Sequence, residues 1–339
     1  MLYCRLFQPE GPDSWGSSPR PGEFEPGGLL LPLPVEYIPG QPDRPGFDDF
    51  FGGWLTECRG LTLLVDCGVG GGAADLVRRL KARLGERDLD YVLLTHIHLD
   101  HAGALGEIFK AWPRARAVVH EKGRRHLAEP GRLWASTREV MGELADLYGH
   151  PVPVDPGRLI SHLEADLPGL GIWETPGHAA HHLSFRLEET WFPGEVGGCP
   201  YLWEGRVHNR PATPSHFNRV MALASIEKLL AEPDGPACFP HFNVRLPRLR
   251  EVLLLGLRQL DFWRGFLRRP EAAPRPGESL ADRLDRLTGL LWLEDPELAP
   301  LKTLPPAETW RERFFLHNNL TGFLENFEAE SAATEGPGG

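Results

Sequence analysis

The sequence predicts a mixed α/β domain followed by a helical extension. Three observations carry this. Up to about residue 245, short apolar runs of strand length alternate with longer stretches of helical period. From Leu246 onward only helical patterns occur, separated by proline-rich joints. Several strand-like runs end in a turn bearing a histidine or a carboxylate, which is how α/β proteins deliver functional groups. With 339 residues, 41% hydrophobic and 24% charged, the chain can bury a sizeable core and suggests about two domains.

The elements read as follows. Residues 1–28 are rich in Gly, Pro and Ser and read as an irregular arm, and Leu29–Pro34 as a first strand. Residues 37–53 read as a loop carrying Phe47, Phe50 and Phe51, which either pin it to the core or form a flap over a site. Trp54–Cys58 and Leu61–Cys67 predict a hairpin closed near Arg59-Gly60. Ala74–Leu84 predicts a helix with Leu76, Leu80 and Leu84 on one face, followed by a strand over Tyr91–Thr95. A helix over Ala102–Trp112, a strand over Ala115–His120 and a helix over Leu133–Tyr148 come next. Gly171–Glu174, Leu183–Leu187, Thr190–Phe192 and Ala237–Phe239 predict short strands. Phe217–Leu230 predicts an amphipathic helix whose buried face holds Phe217, Val220, Met221, Ala224 and Leu230. Helices over Leu246–Leu267, Leu280–Leu291 and Pro306–Phe327 form the extension, residues 246–330, and residues 331–339 read as disordered.

Composition narrows the function. A formal charge of −11 argues against a general nucleic-acid or anionic-membrane surface. No apolar run approaches the ~18 residues of a membrane span. Five cysteines form no CxxC pair, which fits a reducing cytoplasm rather than a disulfide framework or a structural zinc finger. No secretory signal is visible, so a cytoplasmic protein is expected.

The chemistry concentrates in Thr95-His96-Ile97-His98-Leu99-Asp100-His101, between a predicted strand and a predicted helix. In extended chain His96 and His98 point the same way, and the turn into the helix lets Asp100 and His101 face a second point nearby. Imidazoles suit zinc or iron, and the carboxylate adds charge. Thr175-Pro176-Gly177-His178 makes His178 a third ligand for the first metal. Phe192-Pro193-Gly194-Glu195 places Glu195 to bridge two ions, and Phe239-Pro240-His241 ends the last strand with an imidazole.

This ordered set, together with the Asp66-Cys67-Gly68 turn, resembles the metallo-β-lactamase superfamily over residues 29–245. Gly177-His178-Ala179-Ala180-His181-His182 resembles the corresponding stretch of its glyoxalase II-like hydrolases. The resemblance implies a four-layer αβ/βα sandwich with a metal site at one edge between the sheets. It implies two divalent ions, zinc first and iron or manganese as alternatives. His96, His98 and His178 would hold the first; Asp100, His101 and His241 the second; Glu195 would bridge, where the family has Asp. Asp100 would also orient the nucleophile or take up its proton, while Asp66 and His182 would orient ligands from behind.

The implied reaction is attack of a metal-bound hydroxide on an ester, thioester or lactone carbonyl of a small molecule. Two alternatives stand beside it: a mononuclear iron enzyme of the persulfide-dioxygenase type, using His96, His178 and Glu195, and a binding protein whose Glu195 marks a degraded site. His120, Arg124, Arg125, His126, Trp134 and Arg138 either approach the substrate or form a solvated helical face. The extension would wall the pocket or serve a homo-oligomer.

Overall fold

The computed structural model describes residues 34–40, 42 and 44–334. The arm over residues 1–28 and nearly all of the strand expected over Leu29–Pro34 lie outside these residues.

Two sheets face each other. The first runs in the order β1(Val35–Pro39), β2(Gly52–Cys58), β3(Leu61–Val65), β4(Tyr91–Leu93), β5(Arg116–Val119), β6(Leu159–Ser161), antiparallel to β3 and parallel from β3 onward. The second contains β7(Leu170–Glu174), β8(Leu183–Leu187) and β9(Thr190–Phe192), an antiparallel meander. A separate hairpin of β10(Cys199–Trp203) and β11(Arg206–Arg210) follows. Then β12(Ala237–Cys238) joins β9 in parallel and β13(Arg245–Leu246) closes the edge.

Helices α1(Ala73–Leu84), α2(Leu99–Ala102), α3(Leu105–Ala111), α4(Arg124–Ala128), α5(Gly131–Met141) and α6(Ala145–Tyr148) lie between strands of the first half. Helices α7(Arg219–Leu230), α8(Leu249–Leu267), α9(Leu280–Glu294) and α10(Pro306–Thr334) belong to the second.

Strand alternation builds the layers. In β3, Leu63 and Val65 face the second sheet, packing with Leu183, Phe185, Leu187 and Phe192, while Leu64 turns outward to Leu76 and Leu80 of α1. Leu93 and Val118 repeat the inward position, and Val92 and Ala117 the outward one. Both faces of the parallel strands are therefore buried, and their sequences read as unbroken apolar runs. The second sheet's outer face, with Trp191 and Phe239, packs on Leu229 of α7, Trp263 of α8, Leu287 of α9 and Phe323 of α10. Helix, sheet, sheet, helix: the four-layer sandwich stands.

The hairpin between β2 and β3 closes at Arg59 and Gly60, both at positive φ (49° and 81°), the two-residue turn that matches strand twist. Elsewhere the expectations need correction. Tyr37–Pro39 and Gly52–Gly53 are strand, not loop, and Leu246 belongs to β13 rather than α8. The helix expected over Leu133–Tyr148 breaks at Gly142, whose φ of 54° the helix cannot continue through. The helix expected over Ala102–Trp112 runs over Leu105–Ala111 as α3, and Ala102 instead ends the short α2. α7 starts at Arg219, capped by Asn218, and buries Ser225, Ile226 and Leu229; Val220 and Met221, expected inside, are 62% and 44% exposed. The last helix runs to Thr334, into the stretch whose composition reads as disordered. β6, β13 and the hairpin β10–β11 were not anticipated.

The loop before β2 is pinned: Phe47, Phe50 and Phe51 are all buried, in a cluster with Val69, Leu99 and Tyr148. The described cysteines, Cys58, Cys67, Cys199 and Cys238, are free and buried. Among the described residues no helix is long and apolar enough to cross a membrane.

α10 docks on the segment after β11 through a glycine. A Cβ on Gly322 would fall inside the Pro214 carbonyl, whereas one on Gly289 of α9 would meet nothing within 4 Å. Gly322→Leu is therefore expected to destabilise the protein by about 1–3 kcal/mol or more through overpacking. Gly289→Ala is expected to stabilise it by about 0.4–1 kcal/mol through helix propensity and a less disordered unfolded chain. Denaturant midpoints of the two variants would show opposite shifts.

Candidate metal centre

Every member of the centre is delivered by a strand end. Past β4 the chain turns into α2, so His96 and His98 lie before the helix and Asp100 and His101 in its first turn. His178 sits in the turn from β7 to β8, Glu195 in the glycine-rich turn after β9, and His241 after β12. The structure brings all seven together. One donor atom each from His96, His98, His178 and Glu195 fall within 4.8 Å of one another, and so do those of Asp100, His101 and His241.

The far ring nitrogens decide the tautomers. His178 Nδ1 lies 3.0 Å from the Ala212 carbonyl, His241 Nδ1 3.0 Å from the Phe50 carbonyl, and His101 Nδ1 3.0 Å from Asp66 Oδ2. These oxygens only accept, so each Nδ1 carries a proton, and in the neutral ring each Nε2 turns a lone pair inward. Thr95 Oγ1 donates to Asp66 and accepts from His96 Nδ1 at 3.1 Å, which fixes His96 the same way. Inside, His178 Nε2 stands 3.2 Å from His96 Nε2 and 3.0 Å from His98 Nδ1. His101 Nε2 is buried with no hydrogen-bond partner. Nitrogens and carboxylate oxygens that converge in this way form a donor set that could hold a metal ion.

Glu195 reaches members of both halves with its carboxylate. Oε2 lies 2.9 Å from His178 Nε2 and 3.4 Å from both His96 Nε2 and His101 Nε2. Oε1 faces the other way, 3.6 Å from His241 Nε2. Asp100 Oδ2 is 3.8 Å from His101 Nε2 and 3.9 Å from His241 Nε2.

The supporting residues act from behind. Asp66, itself at φ 56°, accepts from the Thr95 N–H at 2.8 Å as well as from His101. His182 holds Glu195 rather than an imidazole: its Nε2 accepts the Glu195 N–H at 3.1 Å and its Nδ1 meets Thr175 Oγ1 at 2.9 Å. Gly194, at φ 61°, permits that approach, since a Cβ there would meet His182 Nε2 at 2.5 Å.

The electrostatics follow burial and crowding. Burial, with His178 beside it, pushes His98 down to about 3, and burial and neighbouring imidazoles hold His96 and His182 well below the ordinary imidazole range. Neutral imidazoles are the metal-ligating form. Burial also depresses His101, but Asp100 and Asp66 outweigh it and raise its proton affinity. Burial likewise works against ionised Glu195, yet His178, His101 and His241 hold its carboxyl well below the usual range.

A second histidine cluster lies beside this one, built from His120, His162 and Glu174 at the ends of β5, β6 and β7. Its imidazoles stack with centroids 4.4 Å apart. Here the tautomers are reversed: the Lys122 and Glu121 N–H groups donate to Nδ1 of His120 and His162, leaving Nε2–H turned toward Glu174. Such a group is hydrogen-bonded rather than ligand-ready. His162 and Glu174 escaped the sequence reading, because neither sits in a motif. Of the other residues singled out, His181 stacks on His96 with centroids 6.2 Å apart, Arg124 pairs with Glu121, Arg125 reaches His126, and Trp134 packs on His150 with Arg138 over its ring.

A four-layer sandwich with this histidine-carboxylate cluster at strand ends defines a class of metal-centred α/β proteins. Residues 54–241 match the profile of the metallo-beta-lactamase superfamily, and the chain belongs to that family. It is 30% identical over 200 residues to metallo-beta-lactamase fold-containing protein ST1585 of Sulfurisphaera tokodaii, covering 56% of this chain and 72% of that one. It is 27% identical over 209 residues to the hydroxyacylglutathione hydrolase of Aeromonas salmonicida, covering 61% of this chain and 66% of the enzyme. The crystal structure of ST1585 superposes with a TM-score of 0.62 at 22% identity, over 86% of this chain and 98% of that one. That of the metallo-beta-lactamase family protein TTHA1429 from Thermus thermophilus gives 0.54 at 21% identity, over 90% and 96%.

Asp66 accepts three donors, and Asn in its place would turn an NH2 toward one of them. Asp66→Asn is expected to weaken metal binding by roughly 10–100-fold, as loss of a ligand's outer partner does elsewhere. Competition against a chromophoric chelator measures it; unchanged affinity would show that the Asp66–His101 contact does not orient the ligand.

Proposed function

We propose that the chain is a metal-dependent hydrolase of small esters, thioesters or lactones that works with two divalent ions. The observation that carries this reading is the inward convergence of imidazole nitrogens, four of them (His96, His101, His178 and His241) fixed by an acceptor on the far nitrogen. His96, His98 and His178 would hold one ion, Asp100, His101 and His241 the other, and Glu195 would lie between them, its carboxylate within reach of both sets. The nitrogen and oxygen donor set suits zinc. When bound, the ions lower the proton affinity of a water and polarise a carbonyl oxygen. Asp100, whose side chain is 17% exposed, is the acidic member nearest the surface and is assigned to orient the attacking water and hold its proton. His96, His101, His178 and His241 keep their orientation through their locked far nitrogens, so little reorganisation accompanies the reaction. The hydroxyacylglutathione hydrolase of Aeromonas supports an acyl substrate.

Elemental analysis of protein purified without added metal is expected to find about two zinc ions per chain. One ion per chain, rising to two in Glu195→Asp, would overturn the bridging role of the glutamate. On a panel of ester, thioester and lactone substrates, turnover should vanish with a chelator and return with zinc. A protein loaded with two ions but inactive on every class would overturn the hydrolase reading, and iron with oxygen uptake would replace it with an oxygenase.

A further inference from the structure

Cys199 is a buried group at the centre to which the reading above gives no role. It opens β10 and pairs with Arg210 across the hairpin. Its Sγ lies 3.0 Å from Glu195 Oε1, the oxygen turned away from the first three imidazoles. Glu195, Cys199 and His241 each place a donor atom within 4.8 Å of the others, and all three are buried. The same half of the centre holds the unpartnered His101 Nε2. The thiol has one proton, and it is already directed at Glu195, so it cannot answer either imidazole.

We propose that Cys199 is a thiolate ligand of the second ion, beside Asp100, His101 and His241, which makes that half of the centre softer than the first. This rests on the two-ion reading. Cys199 would be the fifth donor of that ion, and in a five-coordinate shell neighbouring sulfur and oxygen ligands at ~2.3 Å and ~2.1 Å from zinc lie roughly 3.1 Å apart. The observed 3.0 Å between Sγ and Oε1 is therefore within a small adjustment of joint ligation. On binding, the S–H bond breaks, the sulfur keeps the electron pair as its donor to the ion, and the proton leaves to solvent. Arg210, buried and paired with Glu312, lies across the hairpin from Cys199. A sulfur ligand would bias this half toward zinc or cobalt and away from magnesium or manganese.

Cobalt(II) titration of the metal-free protein tests this. Visible ligand-field bands report any bound cobalt, and a sulfur-to-cobalt charge-transfer band in the near ultraviolet reports a thiolate ligand. The charge-transfer band is expected in the wild type, retained in Cys67→Ser and absent in Cys199→Ser, where the hydroxyl still donates to Glu195. Ligand-field bands for two equivalents without a charge-transfer band in the wild type would overturn the proposal and leave the two-ion reading standing. So would a band that persists in Cys199→Ser. Failure of cobalt to bind at all would overturn both. An absent charge-transfer band in the cobalt-loaded wild type overturns the proposal without any variant having to fold.

Discussion

The centre depends on one constraint: imidazoles that are to share an ion must turn lone pairs toward one another. His101, His178 and His241 meet it by committing their far nitrogens elsewhere, and those acceptors come from distant parts of the chain. Asp66 follows β3, the Phe50 carbonyl belongs to the aromatic loop before β2, and the Ala212 carbonyl follows the β10–β11 hairpin. Local sequence places the histidines; only the complete fold sets their tautomers. A polar cluster of this kind without a cation is costly to bury, because unpaired groups forfeit their hydration. The neighbouring His120–His162–Glu174 group shows the contrast. The same residue types, with backbone N–H groups on Nδ1, make an ordinary hydrogen-bonded triad.

The C-terminal helices participate in this arrangement. Thr213 donates its N–H to Asn319 Oδ1 at 3.0 Å and its hydroxyl to the Asn319 carbonyl at 2.7 Å, so α10 fixes the strand of chain whose Ala212 carbonyl holds His178. Arg311 lies 4.5 Å over the Phe50 ring, and Phe50 stacks on His241 with centroids 4.8 Å apart. Glu312 pairs with both Arg210 and Arg311 in full burial. Removing one partner of such a buried pair costs about 3–5 kcal/mol, because it strands the other charge. Those ion pairs lie close behind Glu195 and Cys199, so α10 is tied to the centre at three points.

The family and the centre's members were legible because the information is local. His96 to His101 fall within one strand-to-helix turn, and the parallel strands announce themselves as apolar runs. What escaped depends on long-range contact. The buried face of α7 was misread because Val220 and Met221 carry the expected spacing while Ile226 and Leu229 meet the second sheet's core. Cys199 and Arg210 carry no motif; they meet Glu195 and Glu312 through a hairpin and a helix that sequence spacing does not relate. The aromatic loop had two readings, and the full burial of its three phenylalanines decides for anchoring.

Glutamate at position 195 has a specific structural consequence. Its N–H is held by His182 Nε2, which is itself held by Thr175, so the backbone cannot retreat to absorb the extra methylene. Gly194 at positive φ and Gly197 and Gly198, also at positive φ, route the turn close to His182 and then away into the hairpin. The added reach must therefore be taken up by the side chain. With Oε2 kept 2.9 Å from His178, the other oxygen is carried toward the far half of the centre, where the hairpin brings Cys199 to meet it. A shorter aspartate on the same backbone would leave a gap on that side. The longer carboxylate and the buried thiol fit as a pair, so substituting either should be judged by its effect on the other.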